Sequence, residues 1–327
     1  MSRSPLRTIA FTFTLFGLAA TVPAQDEALK QASNATTSGF SAADTTGKVW
    51  TRSATLNINF TQVSLTNWAA GGFSSVGGIA LFNGFANKHK GRFVWDNSIS
   101  AAFGGLSQDG QDPVKTDDRL QLTSKWGYEL KKPWYFAALA DFKTQFTEGF
   151  DGTTGSRISN LFAPAYLTMA LGFDYKPSDH FSAFISPLAA RITFVNDETL
   201  ADAGAFGVDK AEYDLTTGEL IAHGKTTRFE LGAYARAQYT RDLAPNFTFL
   251  TRMELYSNYL KNPQNIDVIW ETLWTLKVNT WLGVSLNTLL IYDDDVLVVK
   301  KDSEGVPYTG PGTQFKETLG VGLTFKL

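Results

Sequence analysis

The residue types that most often carry catalysis are scarce in this chain. Its 327 residues include no cysteine and three histidines, His89, His180 and His223, each in a stretch that reads as a turn or loop. A serine hydrolase needs a histidine beside its nucleophile, and His223 has no nearby serine and no recognisable nucleophile motif. We therefore predict no enzymatic activity, no catalytic residue and no cofactor.

One acidic run could bind a cation. Asp293, Asp294 and Asp295 are consecutive, and carboxylates are the ligands that Ca²⁺ prefers, but the run lacks the spaced ligands of a calcium loop. The absence of cysteine and the scattered histidines also disfavour zinc. We predict no metal site and read the run as a solvated acidic loop, with cation binding as the alternative.

A third set of ionisable residues lies at alternate positions of apolar–polar stretches, which places its members on one face of predicted strands. Neighbouring strands would bring Lys125 beside Asp141 or Lys143, and Arg236 beside Arg252 and Glu254. The set either forms an ion-pair network that plugs a lumen or lines a passage for polar solutes. The predicted lumen-lining residues are Lys125, Glu129, Asp141, Lys143, Glu230, Arg236, Arg252, Glu254, Glu271 and Lys277.

The elements that would position these residues are β-strands. From Thr51 onward, segments of ten to fourteen residues alternate apolar and polar side chains, a period-two pattern typical of strands with one face in each environment. We predict about twelve strands and an all-β fold, a single transmembrane up-and-down antiparallel β-barrel. The strands are expected at 52–62, 76–87, 92–103, 118–130, 134–146, 165–175, 181–195, 226–241, 247–259, 266–278, 280–292 and 314–326.

Short and long connections alternate along the chain, as in barrels with short turns on one side of a membrane and long loops on the other. Aromatic residues gather near both strand ends, which indicates two interfacial belts. One set includes Trp95, Trp126, Trp134 and Tyr135 near the short turns, and the other includes Phe103, Phe229, Tyr256 and Phe315 near the long loops. Backbone groups cannot stay unpaired in hydrocarbon, so the last segment must pair with the first.

The N-terminus reads as a signal peptide over residues 1–24, with Arg3 and Arg7 before an apolar stretch and cleavage after Ala24. Residues 25–50 are expected to be a flexible periplasmic leader, and residues 51–327 the barrel. This predicts an exported protein of the Gram-negative cell outer membrane. The expected partners are membrane lipid, lipopolysaccharide and the barrel-assembly machinery; the net charge of −3 gives no support for nucleic-acid binding.

Several motifs occur in order along the chain. They are Asn67–Gly72, Trp95–Asn97, Lys115–Asp118, Gln145–Phe150, Ser159–Tyr166, Ile185–Pro187, Ile291–Asp295 and Gln314–Phe325. Together they resemble an uncharacterised, domain-of-unknown-function family of outer-membrane β-barrel proteins of Bacteroidetes-type bacteria. The resemblance implies outer-membrane location and supplies no reaction. It also leaves open whether the polar motifs of the outer loops pack over the mouth or meet a partner.

Three functions remain open on the sequence. The leading hypothesis is a non-catalytic transport, channel or structural role in the envelope, porin-like in class. The second is an accessory barrel whose outer loops bind another envelope component. The third is an outer-membrane hydrolase, which the missing serine–histidine pair disfavours.

Overall fold

A computed structural model describes residues 49–65, 74–150, 155–178, 180–279, 281–301, 304 and 306–326. The predicted signal peptide, the leader up to residue 48 and the Asn67–Gly72 motif lie outside these residues. No helix in the described ranges is long and apolar enough to cross a membrane.

Twelve strands form one closed barrel, and they follow one another in chain order around it. All twelve predicted strands are present, each within a few residues of its expected range. They are β1 (Trp50–Val63), β2 (Ser75–Lys90), β3 (Phe93–Gln108), β4 (Val114–Lys131), β5 (Trp134–Thr144), β8 (Ala165–Ser178), β9 (Phe181–Phe194), β12 (Thr227–Ala244), β13 (Phe247–Asn258), β14 (Ile266–Lys277), β15 (Leu282–Tyr292) and β18 (Gln314–Lys326). The predicted all-β, up-and-down barrel is thus confirmed.

The remaining elements belong to the long connections. They are β6 (Gly149–Phe150), β7 (Arg157–Ser159), the helix α1 (Glu198–Asp202), a 3-10 turn (Ala205–Gly207), β10 (Glu212–Tyr213), β11 (Leu220–Ala222), β16 (Leu297–Lys301) and β17 (Pro307–Pro311). All of them lie at one end of the barrel, because long and short connections alternate. We call this the long-loop end, and the opposite one the short-turn end.

The barrel closes where β1 pairs antiparallel with β18, from Thr55 opposite Lys326 to Asn59 opposite Gly322. Glycine is required at this seam because the Asn59 side chain occupies the space beside it. A Cβ atom on Gly322 would collide with Asn59 Oδ1, and one on Gly320 would lie 2.6 Å from Asn59 Nδ2. Small residues here let the two end strands approach each other.

Apolar side chains cover the outside of the barrel. Leu171, Phe229 and Leu319 are 47%, 58% and 67% exposed on the outward face, whereas ionised side chains such as Lys125 and Glu271 are buried inside. A soluble protein has the opposite distribution. A contiguous apolar exterior of this kind matches a lipid environment.

The aromatic belt at the short-turn end is built from rings in contact. Trp50 lies 5.8 Å from Trp95, and Phe93 lies 5.9 Å from Trp126. Exposed rings at the long-loop end include Phe103, Phe229 and Phe315. For two residues, the prediction that they belong to these belts is wrong.

Tyr135 and Tyr256 face the interior, where Tyr135 approaches Glu129 and Tyr256 is 3% exposed. Their position near a strand end suggested the belt, but the alternation of each strand directs them inward.

The outward face allows a position-dependent test of membrane insertion. Leu171 lies midway along β8, whereas Leu231 lies near the long-loop end of β12. We expect Leu171→Arg to lower the free energy of unfolding by about 2–4 kcal/mol and Leu231→Arg by about 0–1 kcal/mol, because the cost of a charge depends on its depth in hydrocarbon. Urea titration in lipid vesicles, followed by tryptophan fluorescence, measures both; equal costs at the two positions would contradict a lipid-facing surface.

Candidate functional site

One side of the lumen is lined by ionised side chains that pair across strands β4, β5, β8, β9, β12, β13 and β14. We call this surface the charged wall. Its ion pairs form three groups, which follow one another from the short-turn end to the long-loop end. Most side chains of the first two groups are buried, so most of these pairs are shielded from solvent. Lys143 is 28% exposed.

The first group lies nearest the short turns. Lys125 Nζ is 3.0 Å from Asp174 Oδ2, and Lys176 Nζ is 3.4 Å from the same oxygen. The prediction that Lys125 lies beside Asp141 or Lys143 is wrong. The register places Lys125 opposite Leu139, and Asp141 opposite Thr123, so Asp141 is only a diagonal neighbour of Lys125.

The second group occupies the middle of the lumen. Lys143 Nζ lies 2.8 Å from Glu254 Oε2, and Arg252 lies 2.6 Å from Glu271. Arg236 is opposite Glu254 in the register, as expected, with Nε 3.8 Å from a carboxylate oxygen. Carboxylates and cations therefore alternate across four strands at mid-height.

The third group lies at the long-loop end. Arg191 is 2.7 Å from Asp267, and Arg228 is 2.8 Å from Glu230. Arg228 also contacts Asp295, which in turn is 3.0 Å from Lys261. Asp295, the last residue of the acidic run, therefore forms ion pairs with two different segments of the barrel rim.

The ten predicted lumen residues occupy different places in this arrangement. Six belong to the second group or contact it directly, Lys125 belongs to the first and Glu230 to the third. Glu129 and Lys277 lie at the short-turn end, away from the three groups. Several members of the charged wall were not predicted: Arg119, Asp174, Lys176, Arg191, Arg228 and Asp267.

The sequence held a signal for some of these residues. Asp174 alternates with outward Phe173 and Tyr175, so its inward direction could have been read from the pattern. The inward direction of Arg191 could not be read from the pattern, because the register between β8 and β9 shifts near Pro187 of β9. On β8 the shift lies between Leu171 and Phe173. A bulge of this kind reverses the parity of every residue that follows.

The opposite side of the lumen is different in chemistry. Strands β15, β18, β1, β2 and β3 direct mainly uncharged side chains inward, both polar ones and apolar ones such as Leu81 and Phe85. Charged exceptions include Asp96 on β3, which is fully buried opposite Lys125, and Lys316 on β18. We call this surface the uncharged wall, defined by Asn57, Ser98, Ser100, Ser285, Asn287 and Thr318. These six side chains are half-buried and keep some access to solvent.

Two long connections fold together over the long-loop end. Asp197 accepts hydrogen bonds from Leu200 N at the start of α1, from Arg157 and from Asn160. An apolar cluster of Ala163, Val195, Leu200, Ala201 and Val208, joined by Phe206, packs beneath these contacts. We call residues 145–150, 155–164 and 195–225 the cap; of the polar motifs, Gln145–Phe150 and much of Ser159–Tyr166 are part of it.

The cap is anchored to the third ion-pair group. Gly207 has a φ of 79°, and a Cβ atom added to it would collide with the Arg228 guanidinium. Glycine is therefore required here for both its backbone conformation and its close approach. Phe206 also has a positive φ of 57°, which is uncommon for a non-glycine residue, and its ring lies between the cap and the lumen.

Two clusters could offer ligands to a metal. On the outer surface of the cap, His223 Nδ1 lies 3.0 Å from Asp202 and 3.1 Å from Glu198. A hydrogen bond from Gly224 N lowers the pKa of Asp202, and its hydrogen bond with Asp202 raises the pKa of His223. These carboxylate partners do not make a hydrolase triad, which requires a hydroxyl nucleophile at the histidine.

The second cluster contains Asp267, Asp293 and Asp294, whose oxygens lie within 4.8 Å of one another. Arg191 already supplies a cation to Asp267 at 2.7 Å, and Asn265 donates to Asp294 at 2.6 Å. The acidic run Asp293–Asp295 is therefore a set of contacts that join the rim loops, rather than the solvated loop that the sequence suggested.

One protein family matches part of the chain. Residues 60–150 match the family described as Protein of unknown function (DUF3078), which confirms the resemblance to an uncharacterised family over that part of the chain. No curated protein sequence matches.

Among solved structures, the chain is similar to the translocator domain of autotransporter NalP from Neisseria meningitidis, with 11% identity and a TM-score of 0.36, over 92% of this chain and 95% of that one. An outer membrane channel from Pseudomonas putida F1 has 11% identity and a TM-score of 0.36, over 84% of this chain and 96% of that one. The NanC porin has 8% identity and a TM-score of 0.35, over 83% of this chain and 98% of that one. These likenesses concern the barrel architecture alone.

The second ion-pair group predicts a large cost for the loss of one charge. Glu271 is 2% exposed and contacts both Arg252 and Arg119. Glu271→Gln would remove the nearest carboxylate from the buried Arg252 and a carboxylate from the half-buried Arg119, and we expect it to lower the free energy of unfolding by about 3–5 kcal/mol. The half-buried Glu129 is the matched control: Glu129→Gln is expected to cost about 0–1 kcal/mol. Urea titration of both variants measures their free energies of unfolding. If Glu271→Gln lowers this free energy by no more than Glu129→Gln does, the ion pairs of the charged wall are hydrated.

Proposed function

We infer that this protein is an integral outer-membrane β-barrel without catalytic activity, and that small polar solutes pass through its lumen along the uncharged wall. The observation that carries the inference is the asymmetry of the lumen. Ion pairs fill one side, while mostly uncharged side chains, polar and apolar, line the other. A passage bounded in this way would be narrow.

The membrane location is supported by the distribution of polarity. Outward residues such as Leu171 and Leu319 are exposed, while the inside is ionised. A closed barrel with no free strand edge is the form in which strands cross hydrocarbon. The signal peptide predicted for residues 1–24 supports export to the outer membrane.

The charged wall would narrow the lumen rather than select ions. Lys143 pairs with Glu254, and Arg252 pairs with Glu271, so each charge already has a counter-charge in direct contact. Twelve strands enclose a lumen between the filled interior of eight-stranded barrels and the open channel of sixteen-stranded porins. A wall of long paired side chains on one side leaves room for small solutes on the other.

The passage can be tested by narrowing it. Thr318 faces the lumen on the uncharged wall, and its neighbour Leu319 faces outward. In planar bilayers we expect the wild-type protein to conduct, Thr318→Trp to lower conductance severalfold and Leu319→Trp to leave it unchanged, because only the first bulky ring enters the passage. Conductance of the wild type no greater than that of an empty bilayer would refute the passage.

A second function is favoured by one feature of the cap. The β10–β11 hairpin carries apolar side chains into solvent: Tyr213, Leu215, Leu220 and Ile221 are 52%, 104%, 42% and 64% exposed. Exposed apolar residues grouped on one loop often contact another protein. In the accessory role, this hairpin would be the surface that binds another envelope component.

Purification from mild detergent tests the accessory role. We expect a partner to co-purify with the wild type and to be lost from a Leu215→Asp, Ile221→Asp double variant, since a carboxylate in an apolar interface is costly to desolvate. The double variant Thr216→Asp, Thr217→Asp on the same hairpin is the control for added charge. Recovery of the wild type alone, or equal recovery of a partner with both variants, would count against this role.

A further inference from the structure

A groove of about 710 Å³ lies on the outer face of the barrel, across strands β1 to β5. We call it the outer groove. Ala54 is opposite Gly84 in the register, and Gly84 is opposite Ile99. These residues alternate with inward ones, so they face lipid together with the other apolar residues of the lining. The apolar outward lining includes Ala54, Phe82, Gly84, Ile99, Leu122 and Phe142.

A cation lines the groove at its short-turn end. Arg52 is the next outward residue after Trp50 of the aromatic belt, and its side chain is exposed. No hydrogen bond or ion pair to Arg52 occurs within the described part of the chain. A charge on a lipid-facing surface is costly unless it reaches a polar or ionised partner. The partner of Arg52 must therefore come from outside the described barrel.

A second cation lies beside the first. Lys88 faces outward opposite Trp50, and its ammonium group is 5.5 Å from the centroid of the Trp50 ring. Arg52 is opposite Ala86, so Lys88 is its diagonal neighbour, with Cβ atoms roughly 7–8 Å apart. Two long side chains at this spacing can reach one anion between them. The outward positions of β1 and β2 carry no acidic residue, which leaves the two charges without a counter-charge on their own strands.

The other polar side chains on the outward lining are already satisfied. Trp95 Nε1 donates to Ser124 Oγ at 2.9 Å, and Ser124 Oγ donates to Asn97 Oδ1 at 2.8 Å. Asn97 Nδ2 donates in turn to Ala86 O at 3.1 Å. A ligand of the groove therefore needs no hydrogen bonds for Asn97 or Ser124. It needs an apolar body and one anionic group at the level of the aromatic belt, where lipid head groups lie.

We propose that the outer groove binds one phospholipid whose head group has a net negative charge. Arg52 and Lys88 contact its phosphate, and an acyl chain packs over Ala54, Gly84 and Ile99. Basic pockets on membrane proteins recognise anionic head groups in this way. A second copy of the chain fits the groove less well, because a symmetric pair would bring the cations of both copies together.

The proposal rests on the membrane location of the barrel and is independent of solute passage. Native mass spectrometry tests it on the full chain, stripped of lipid in detergent and then supplied with phosphatidylglycerol or with phosphatidylcholine of the same acyl chains. We expect one phosphatidylglycerol to be retained per chain, and phosphatidylcholine to be retained severalfold less. Both lipids carry a phosphate, but only phosphatidylglycerol has a net negative charge.

Two charge variants test the head-group contacts. Arg52→Gln and Lys88→Gln should each lower the affinity for phosphatidylglycerol about fivefold, the effect of one cation beside an anionic head group. Arg241→Gln is the matched control. Arg241 is exposed near the short-turn end of β12, on the far side of the barrel, and its replacement should leave the affinity unchanged.

A third variant tests the groove itself without changing a charge. Ala86→Trp places a bulky ring between Arg52 and Asn97, and we expect it to lower the affinity for phosphatidylglycerol severalfold. Ala237→Trp is the control, because Ala237 is exposed on β12, outside the groove.

Four outcomes would overturn the proposal. They are no retained lipid, equal retention of the two lipids, equal effects of Arg52→Gln and Arg241→Gln, and a dimer of the chain that Ala86→Trp separates. The Leu171→Arg measurement tests the membrane location separately, so a failure of lipid binding removes this site and leaves the location intact.

Discussion

The pairing of the first strand with the last is the constraint on which this molecule depends. Among the described residues it has five residue pairs, from Thr55–Lys326 to Asn59–Gly322, whereas every other junction of the barrel has at least ten. In hydrocarbon an open edge would leave backbone groups without hydrogen-bond partners. The glycines opposite Asn59 make the short seam possible, because any side chain at Gly322 would hold the two strands apart.

Closure at twelve strands then determines what the interior must contain. A ring of this size is too wide for short apolar side chains to fill, and long ionised side chains reach further across it. Their charges are tolerable only in pairs, because each pair offsets the desolvation of its members. The pairs gather on one side, where Lys125, Arg252 and Glu271 lie on strands β4, β13 and β14, whereas the inward side chains of the other side are mostly uncharged.

Strand number, strand position and the side of the long loops could be read from the sequence, because each depends on local periodicity. The facing of Arg236 and Glu254 was also readable for that reason. Pairing partners were not, because they depend on register, and a single bulge changes it. Lys125 therefore pairs with Asp174 rather than Asp141, and Arg191 of the third ion-pair group was missed because it follows the irregularity at Pro187.

The cap and a cavity of about 390 Å³, which lies between the cap and the charged wall, depend on the same residues. Phe206 packs against the apolar cluster of the cap and also lines the cavity. Gly207 fits against Arg228, whose contacts with Glu230 and Asp295 join the barrel rim to the loop after β15. A molecule in the cavity would touch Phe206 directly, so its binding free energy would depend on where the cap lies. By thermodynamic linkage the position of the cap would depend equally on whether the cavity is occupied.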